Sequence, residues 1–426
     1  MEVRIPYGEE SLTLEIPRER LLALVSPHDV EVTATTKDAV RRSLLNPVGS
    51  EPIRARARKA RSAVVACDDL TRVTPAREIL SWILKHLKEG GVKRRDILIL
   101  VALGTHRKMR DRELREKLGE EVVEEYTVLN HVADDEARLG YRGTLEGVPI
   151  WIHKDFLRAD LRIGVGNIIP HHSVGYGGGS KIILPGLSGE ETVGRMHLYA
   201  ATTSPNALGR LDTPVRRVMN ACAEETGLHF IVNTVLTRDK RVAGVFSGHF
   251  EDAHREGVER ARSVYEVPVP GEADITVASS HPADIEFWQA QKALFSADLA
   301  TKEGGSILLV SPCVEGVAVN HPDWLSLVEH DPEWIEDAIR EDGVADLTAA
   351  SVALSLTAVR KKHRVAIVSD GVSYEEADRL RLEKFDTVND AYGALAKPYG
   401  PDLKVNVLTH GGETYPRIDS KLGRQI

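Results

Sequence analysis

The sequence predicts two α/β domains built on largely parallel sheets, with the active site in the cleft between them. Three observations predict it. Short apolar runs alternate with helical periodicity along much of the chain, which marks βαβ units. Several of these runs end in charged or imidazole side chains, and open α/β sheets bind ligands beyond the carboxyl ends of their strands. A proline- and glycine-marked segment, Val267-Pro-Val-Pro-Gly-Glu272, separates two such regions.

The chain has 426 residues, 42% hydrophobic and 28% charged, with a formal net charge of −9. That length suits two domains with substantial cores. The acidic balance argues against a nucleic-acid or anionic-membrane partner, which would call for a basic face. Cys67, Cys222 and Cys313 are too far apart for a zinc motif or a disulfide framework and fit a reducing compartment. The N-terminus lacks a signal-like apolar stretch, and no run is long enough to span a bilayer. A cytoplasmic protein is expected. The boundary is placed so that residues 1–268 and 269–426 form the two domains, with the last ~20 residues packing back on the first.

Met1–Pro6 and Leu12–Ile16 read as short strands, and the basic run Arg54–Arg61 as a solvated helix face. Ser62–Cys67 is strand-like and ends in Asp68-Asp69-Leu70-Thr71-Arg72. The spacing of Ile79, Leu80, Ile83, Leu84 and Leu87 predicts a helix closed by Gly90-Gly91. A second strand, Asp96–Leu103, runs into Gly104-Thr105-His106-Arg107, and a third, Leu161–Val165, opens into a glycine-dense stretch from Gly164 to His197. Glycine at that density lets backbone approach a ligand closely. A helix over Glu190–Tyr199 carries His197. Phe230–Thr237 and Val242–Phe246 read as paired strands, followed by a helix over Glu251–Val264. Beyond the linker, Ala273–Ala278, Ser306–Ser311, His363–Ser369 and Leu403–Leu408 are further strands. A helix from about Ile285 carries Trp288, Gln289 and Lys292, the last two on one face.

Each polar residue also has a plainer account. His106 and His171 could be loop histidines, His197 a helix histidine, Trp288 a core residue, Lys292 a solvated lysine and Asp68-Asp69 a cap. The GYGGGSK run ending in Lys181 invites a phosphate-loop reading. It fails the GxxxxGK[ST] pattern, since Ser180 stands where glycine is required and Ile182 where Ser or Thr is required. HExxH and a dinucleotide GxGxxG are absent.

Four blocks together carry a resemblance along the whole length: Asp68-Asp69-Leu-Thr-Arg72, Gly104-Thr-His106-Arg107, Pro170-His171 through Gly178-Gly179-Ser-Lys181 to His197, and Trp288-Gln289-Ala-Gln-Lys292. In their order and spacing the chain resembles the nickel-pincer lactate racemase family. The resemblance implies a racemase or epimerase of 2-hydroxy acids. It implies nickel held in pyridinium-3,5-bisthiocarboxylic acid mononucleotide, attached covalently at Lys181, with cofactor-assembly enzymes as partners. His106 and His171 match the acid/base pair and His197 the protein ligand to nickel. Asp69, Thr71, Arg72, Gly178 and Gly179 fall in the cofactor-binding segments, while Arg72, Trp288, Gln289 and Lys292 match substrate-binding positions. The first domain would then be the cofactor-binding and catalytic one, and the second would contribute substrate-binding residues.

Trp288 stands where lactate-specific members carry tyrosine, and His172 adds an imidazole beside His171. The resemblance therefore implies the reaction type and leaves the 2-hydroxy acid open. The residues leave two other readings: a non-catalytic binder of the cofactor or of a hydroxy acid, and a phosphate-handling transferase using the GYGGGSK loop.

Overall fold

The computed structural model describes residues 1–422. Two six-stranded sheets organise it. In the first, the strands run in spatial order Val242–Gly248, Phe230–Leu236, Leu161–Asn167, Ala63–Asp68, Ile97–Ala102 and Thr127–Asn130. All neighbours are parallel except the edge hairpin formed by the first two. Side chains along Ala63–Cys67 explain why this sheet is parallel and doubly covered. Val65 and Cys67 pack with Ile79, Leu80 and Ile83 of the helix Ala76–Glu89 on one face. Val64 and Ala66 pack with Ile182, Leu184 and Met219 on the other. A strand apolar on both faces has to be buried on both.

The second sheet has the order Glu383–Phe385, Arg364–Val368, Thr301–Val310, Ala273–Ser279, Val405–Leu408 and Leu21–Val25, all parallel. Its last strand differs from the expected division of the chain, which placed residues 1–268 in the first domain. Leu21–Val25 hydrogen-bonds beside Val405–Leu408. The hairpin Glu2–Tyr7 with Glu10–Glu15 covers one face of the second sheet, where Val3, Ile5, Leu14 and Ile16 pack on Ile275, Val277, Leu308 and Val407. Removing that hairpin would expose a full apolar face, each large side chain costing about 2 kcal/mol. The linker reading at Val267–Glu272 is also modified. Glu266–Val269 is a short strand paired in parallel with Tyr415–Ile418, and the Tyr415 ring lies over Gly209, where a Cβ would come within 2.4 Å of it.

The two units meet along several contacts. The helix Glu190–Thr203 packs so closely on the helix Leu347–Lys362 that a Cβ at Gly194 would lie 2.6 Å from that of Leu347. His172 stacks on Phe295 at 4.1 Å between ring centroids. Asn206 donates to the Phe295 carbonyl and to Asp298, and Lys240 pairs with Glu413 at 2.9 Å. The basic run near residue 54 forms the short helix Ile53–Ala57, with Arg54 and Lys59 paired to Glu89 and Glu51 at the surface. No helix of the described residues is long and apolar enough to cross a membrane.

Candidate active site

The strand ends of the first sheet bring the expected residues together. Ala63–Asp68 and Ile97–Ala102 are parallel neighbours, so the loops following them lie side by side. Within the first loop the two aspartates separate. Asp68 turns into the protein, where its carboxylate accepts from the Thr74 hydroxyl and pairs with Lys117 at 3.0 Å. Lys117 also donates to the carbonyls of Arg72 and Thr74 and braces the loop. Burial raises the Asp68 carboxyl above its ordinary value, with Lys117 opposing.

Asp69 turns to the cleft side. Its Oδ1 accepts from the amide and hydroxyl of Thr71 at 3.2 and 2.6 Å, and its Oδ2 accepts from Nδ1 of His106 at 2.6 Å. Burial alone would raise its pKa, but His106, Arg72 and Thr71 together hold it well below the carboxylate range. Arg72 donates to the Thr71 hydroxyl at 3.0 Å. Thr71 therefore ties Asp69 to Arg72, and the ionised Asp69 fixes the proton of His106 on Nδ1, leaving an acceptor lone pair on Nε2 in the neutral ring.

His171 follows the third strand, in the short hairpin of Pro170–His171 with Gly175–Tyr176. Its Nδ1 accepts from the Ser173 amide at 3.3 Å, so the neutral ring carries its proton on Nε2. His106 and His171 thus present opposite functions at the same ring atom. Burial, with Lys181, His172, Lys292 and Arg72 nearby, keeps the His171 ring neutral well below the ordinary histidine range. His172, sandwiched between His171 and Phe295, is held neutral in the same way.

Lys181 lies on the 3-10 turn Gly179–Ile182. Burial and the cations Arg72, Lys292 and Arg216 push its amine far below the usual lysine value, with Asp69 opposing. A neutral buried amine is a nucleophile rather than an ion-pair partner. Lys292 of the second unit enters the same electrostatic field: burial and Arg72 push it down to about 7, against Glu286, Glu413 and Asp69. Its Nζ donates to Oε1 of Gln289. His197 donates from Nδ1 to the Val193 carbonyl at 2.9 Å, one helical turn back, which leaves Nε2 as a free lone pair. Burial pushes it down to about 4, with Lys181, His321 and His106 adding to the effect. Trp288 stacks on His321 and meets Trp324 edge-on.

The glycine run does something different from cradling a phosphate. Its amides are used by the chain itself: Gly177 donates to the Ile169 carbonyl, Lys181 to that of Gly178, and Gly179 to Oδ1 of Asn233 at 2.7 Å. A Cβ at Gly178 (φ +73°) would lie 2.7 Å from Asn233, and one at Gly179 (φ +61°) 2.9 Å from the His254 ring. Internal packing therefore accounts for the missing side chains.

Three bracing residues escaped the sequence reading. Arg216, buried without a carboxylate partner among the described residues and pushed down to about 10 by that burial, donates to the carbonyls of Val174, Tyr176 and Gly178. Asn233 holds the Gly179 amide, and His254 donates to the Gly177 carbonyl at 2.8 Å. The only signal was Arg216 within the apolar face of its helix.

Among the described residues, no three His, Cys, Asp or Glu side chains converge to hold a metal. His197 could supply a single ligand to a metal otherwise coordinated by an organic group.

Comparison with known proteins agrees with this architecture. Residues 7–209 match the family model described as the lactate racemase N-terminal domain, and residues 268–413 match the lactate racemase C-terminal domain. The chain is 28% identical over 420 residues to the lactate racemase of Thermoanaerobacterium thermosaccharolyticum, covering 96% of this chain and 97% of that protein. It is 29% identical over 421 residues to that of Lactiplantibacillus plantarum, covering 96% and 98%. The lactate racemase apoprotein structure from T. thermosaccharolyticum superposes with a TM-score of 0.90 at 27% identity, over 98% of this chain and all of that one. A Thermotoga maritima protein shares the fold at a TM-score of 0.68 and 20% identity, over 88% of this chain and 99% of its own. With both domain models matched in order and full-length relatives covered end to end, the chain belongs to the lactate racemase family and is an isomerase.

Proposed function

We propose that this protein inverts C2 of a 2-hydroxy acid with the aid of a nickel-pincer nucleotide bound covalently at Lys181. The observation that carries the reading is the gathering of one carboxylate-oriented imidazole, a second imidazole from another strand end, a neutral buried lysine and a single open imidazole ligand in one cleft. The residues fit the cofactor. His197 presents an unprotonated Nε2 with its other nitrogen fixed by a carbonyl, the arrangement found in metal-ligating histidines, and imidazole suits nickel. Lys181, kept uncharged, can form an amide-type bond.

When bound, the cofactor supplies a reversible hydride acceptor for C2. The remaining work falls to the chain. Arg72 and Lys292 hold the substrate carboxylate, Arg72 through a planar guanidinium suited to bidentate contact and Lys292 from the opposite unit. His106 takes the hydroxyl proton of one enantiomer at Nε2, with Asp69 stabilising the imidazolium that forms. His171 donates its Nε2–H to the same oxygen from a second direction; inversion of the opposite enantiomer requires the reverse protonation state, with Nε2 of His171 free to take the hydroxyl proton and His106 carrying a proton at Nε2.

The test is denaturing intact-mass spectrometry of protein co-expressed with cofactor-assembly enzymes, beside Lys181→Ala. A cofactor-sized adduct in the wild type alone, with inversion of a hydroxy acid, supports the reading. Inversion by protein carrying neither adduct nor nickel would overturn it.

A further inference from the structure

The second unit contains an Asp–His pair that the proposed chemistry does not use. His321 donates from Nδ1 to Oδ2 of Asp346 at 2.5 Å. The other oxygen of Asp346 accepts from the Ala349 amide at 2.9 Å, capping the helix Leu347–Lys362. A carboxylate held at both oxygens is a fixed anchor. Burial alone would raise its pKa, but the bonds from His321 and Ala349 outweigh that and keep it ionised. The imidazole of His321 lies flat on Trp288, with centroids 4.1 Å apart and planes 18° apart, and Trp324 abuts the indole edge-on at 5.3 Å. Position, orientation and tautomer of His321 are thereby set. Its Nδ1–H is committed to Asp346, so the neutral ring offers a lone pair at Nε2. Among the described residues the ring's one hydrogen bond is the one to Asp346, so Nε2 is unpaired, and the side chain keeps 11% of its surface exposed.

Its surroundings place the pair in the cleft. Leu347, adjacent to Asp346, packs against Gly194, which lies one turn before His197. His321 is near enough to His197 for their charges to interact. On the other side, Trp288 precedes Gln289, whose side chain holds Lys292. His321 thus neighbours the proposed metal ligand and, through the Trp288 ring, the helical segment that carries the proposed carboxylate-binding residues.

We propose that His321, aimed by Asp346 and braced by Trp288, is a specificity-determining residue that accepts a hydrogen bond from a side-chain hydroxyl of the substrate, so that the preferred substrates are 2-hydroxy acids hydroxylated beyond C2. This rests on the racemase reading above and deepens it. A methyl side chain would cover this mostly enclosed acceptor without offering it a hydrogen, which is unfavourable for a polar group. A carboxylate would set its own lone pairs against that of Nε2. A hydroxyl satisfies it, and sites built to bond a substrate hydroxyl discriminate against analogues that lack it.

The test compares glycerate, lactate and malate, which differ at C3, using cofactor-loaded enzyme. The expected result is a kcat/KM for glycerate at least about tenfold above that for lactate. His321→Phe keeps a flat ring on Trp288 while removing both nitrogens, and should bring the ratio close to one. Asp346→Asn preserves the helix cap and should reduce the ratio part of the way. Equal ratios in wild type and His321→Phe, or a wild-type preference for lactate or malate, would overturn the proposal. Failure of the racemase reading shows separately, as no inversion of any of the three acids by loaded wild type, and would overturn this inference with it.

Discussion

Nδ1 of His106 lies 2.6 Å from Oδ2 of Asp69, although the two residues are 37 positions apart and follow different strands. Parallel pairing of those strands delivers both residues to one point, and the carboxylate then selects the tautomer. Asp69→Asn would keep the shape but remove the charge that stabilises a protonated His106. The expected loss is about 10²-fold or more in the rate of inversion, with KM little changed. Racemisation of each pure enantiomer followed by circular dichroism measures it, and an undiminished rate would show that His106 does not depend on this partner.

Lys292 supplies a pH dependence with a definite sign. Burial and Arg72 push its ammonium down to about 7, so the free enzyme loses that positive charge as pH rises through neutrality. Binding of a carboxylate substrate should weaken accordingly, and kcat/KM should fall above about pH 7. Arginine stays protonated throughout, so Lys292→Arg should abolish the fall even if its absolute activity is lower. The pH profiles of the two enzymes decide the point.

Gly179 is a structural requirement of the loop that carries Lys181. Its φ of +61° and the 2.9 Å approach of a Cβ to the His254 ring predict that Gly179→Ala destabilises by about 2 kcal/mol. Gly271 has open space around it and no positive φ, so Gly271→Ala should leave the melting temperature unchanged. Thermal melts of the two variants provide the contrast.

Buried neutral histidines make the apoprotein acid-sensitive. Burial pushes His131 and His197 down to about 4 and His254 to about 3, against about 6.5 in an unfolded chain. Below pH 6.5 the unfolded chain takes up protons that the fold excludes, so stability falls as pH drops and levels off only near the folded values. At pH 5 each such histidine disfavours the fold by about 2 kcal/mol. Denaturant melts at pH 7.5, 6 and 5 should show this decline. His131→Gln, whose amide nitrogen can replace Nε2 as the donor to the Ser188 carbonyl, should lessen the slope by one proton.

The sequence by itself determined the α/β architecture and most of the strands, because burial on both faces of a parallel sheet forces continuous apolar runs such as Val64–Cys67 and Ile97–Val101. It also exposed Asp69, Arg72, His106 and His171 as residues that follow strands, a local feature of the chain, while Lys181 and Lys292 joined them only through the family resemblance. Tertiary structure alone decided the rest. An apolar run records that a strand is buried but not beside which partner, so Leu21–Val25 joins a strand at the far end of the chain. The same limit hid Arg216, Asn233 and His254, whose roles exist only where their donors and acceptors meet the glycine loop. It also hid Asp346, whose effect on His321 depends on a contact spanning 25 residues. Hydrogen bonds of this kind act over about 3 Å, and only the packed fold determines which residues come that close.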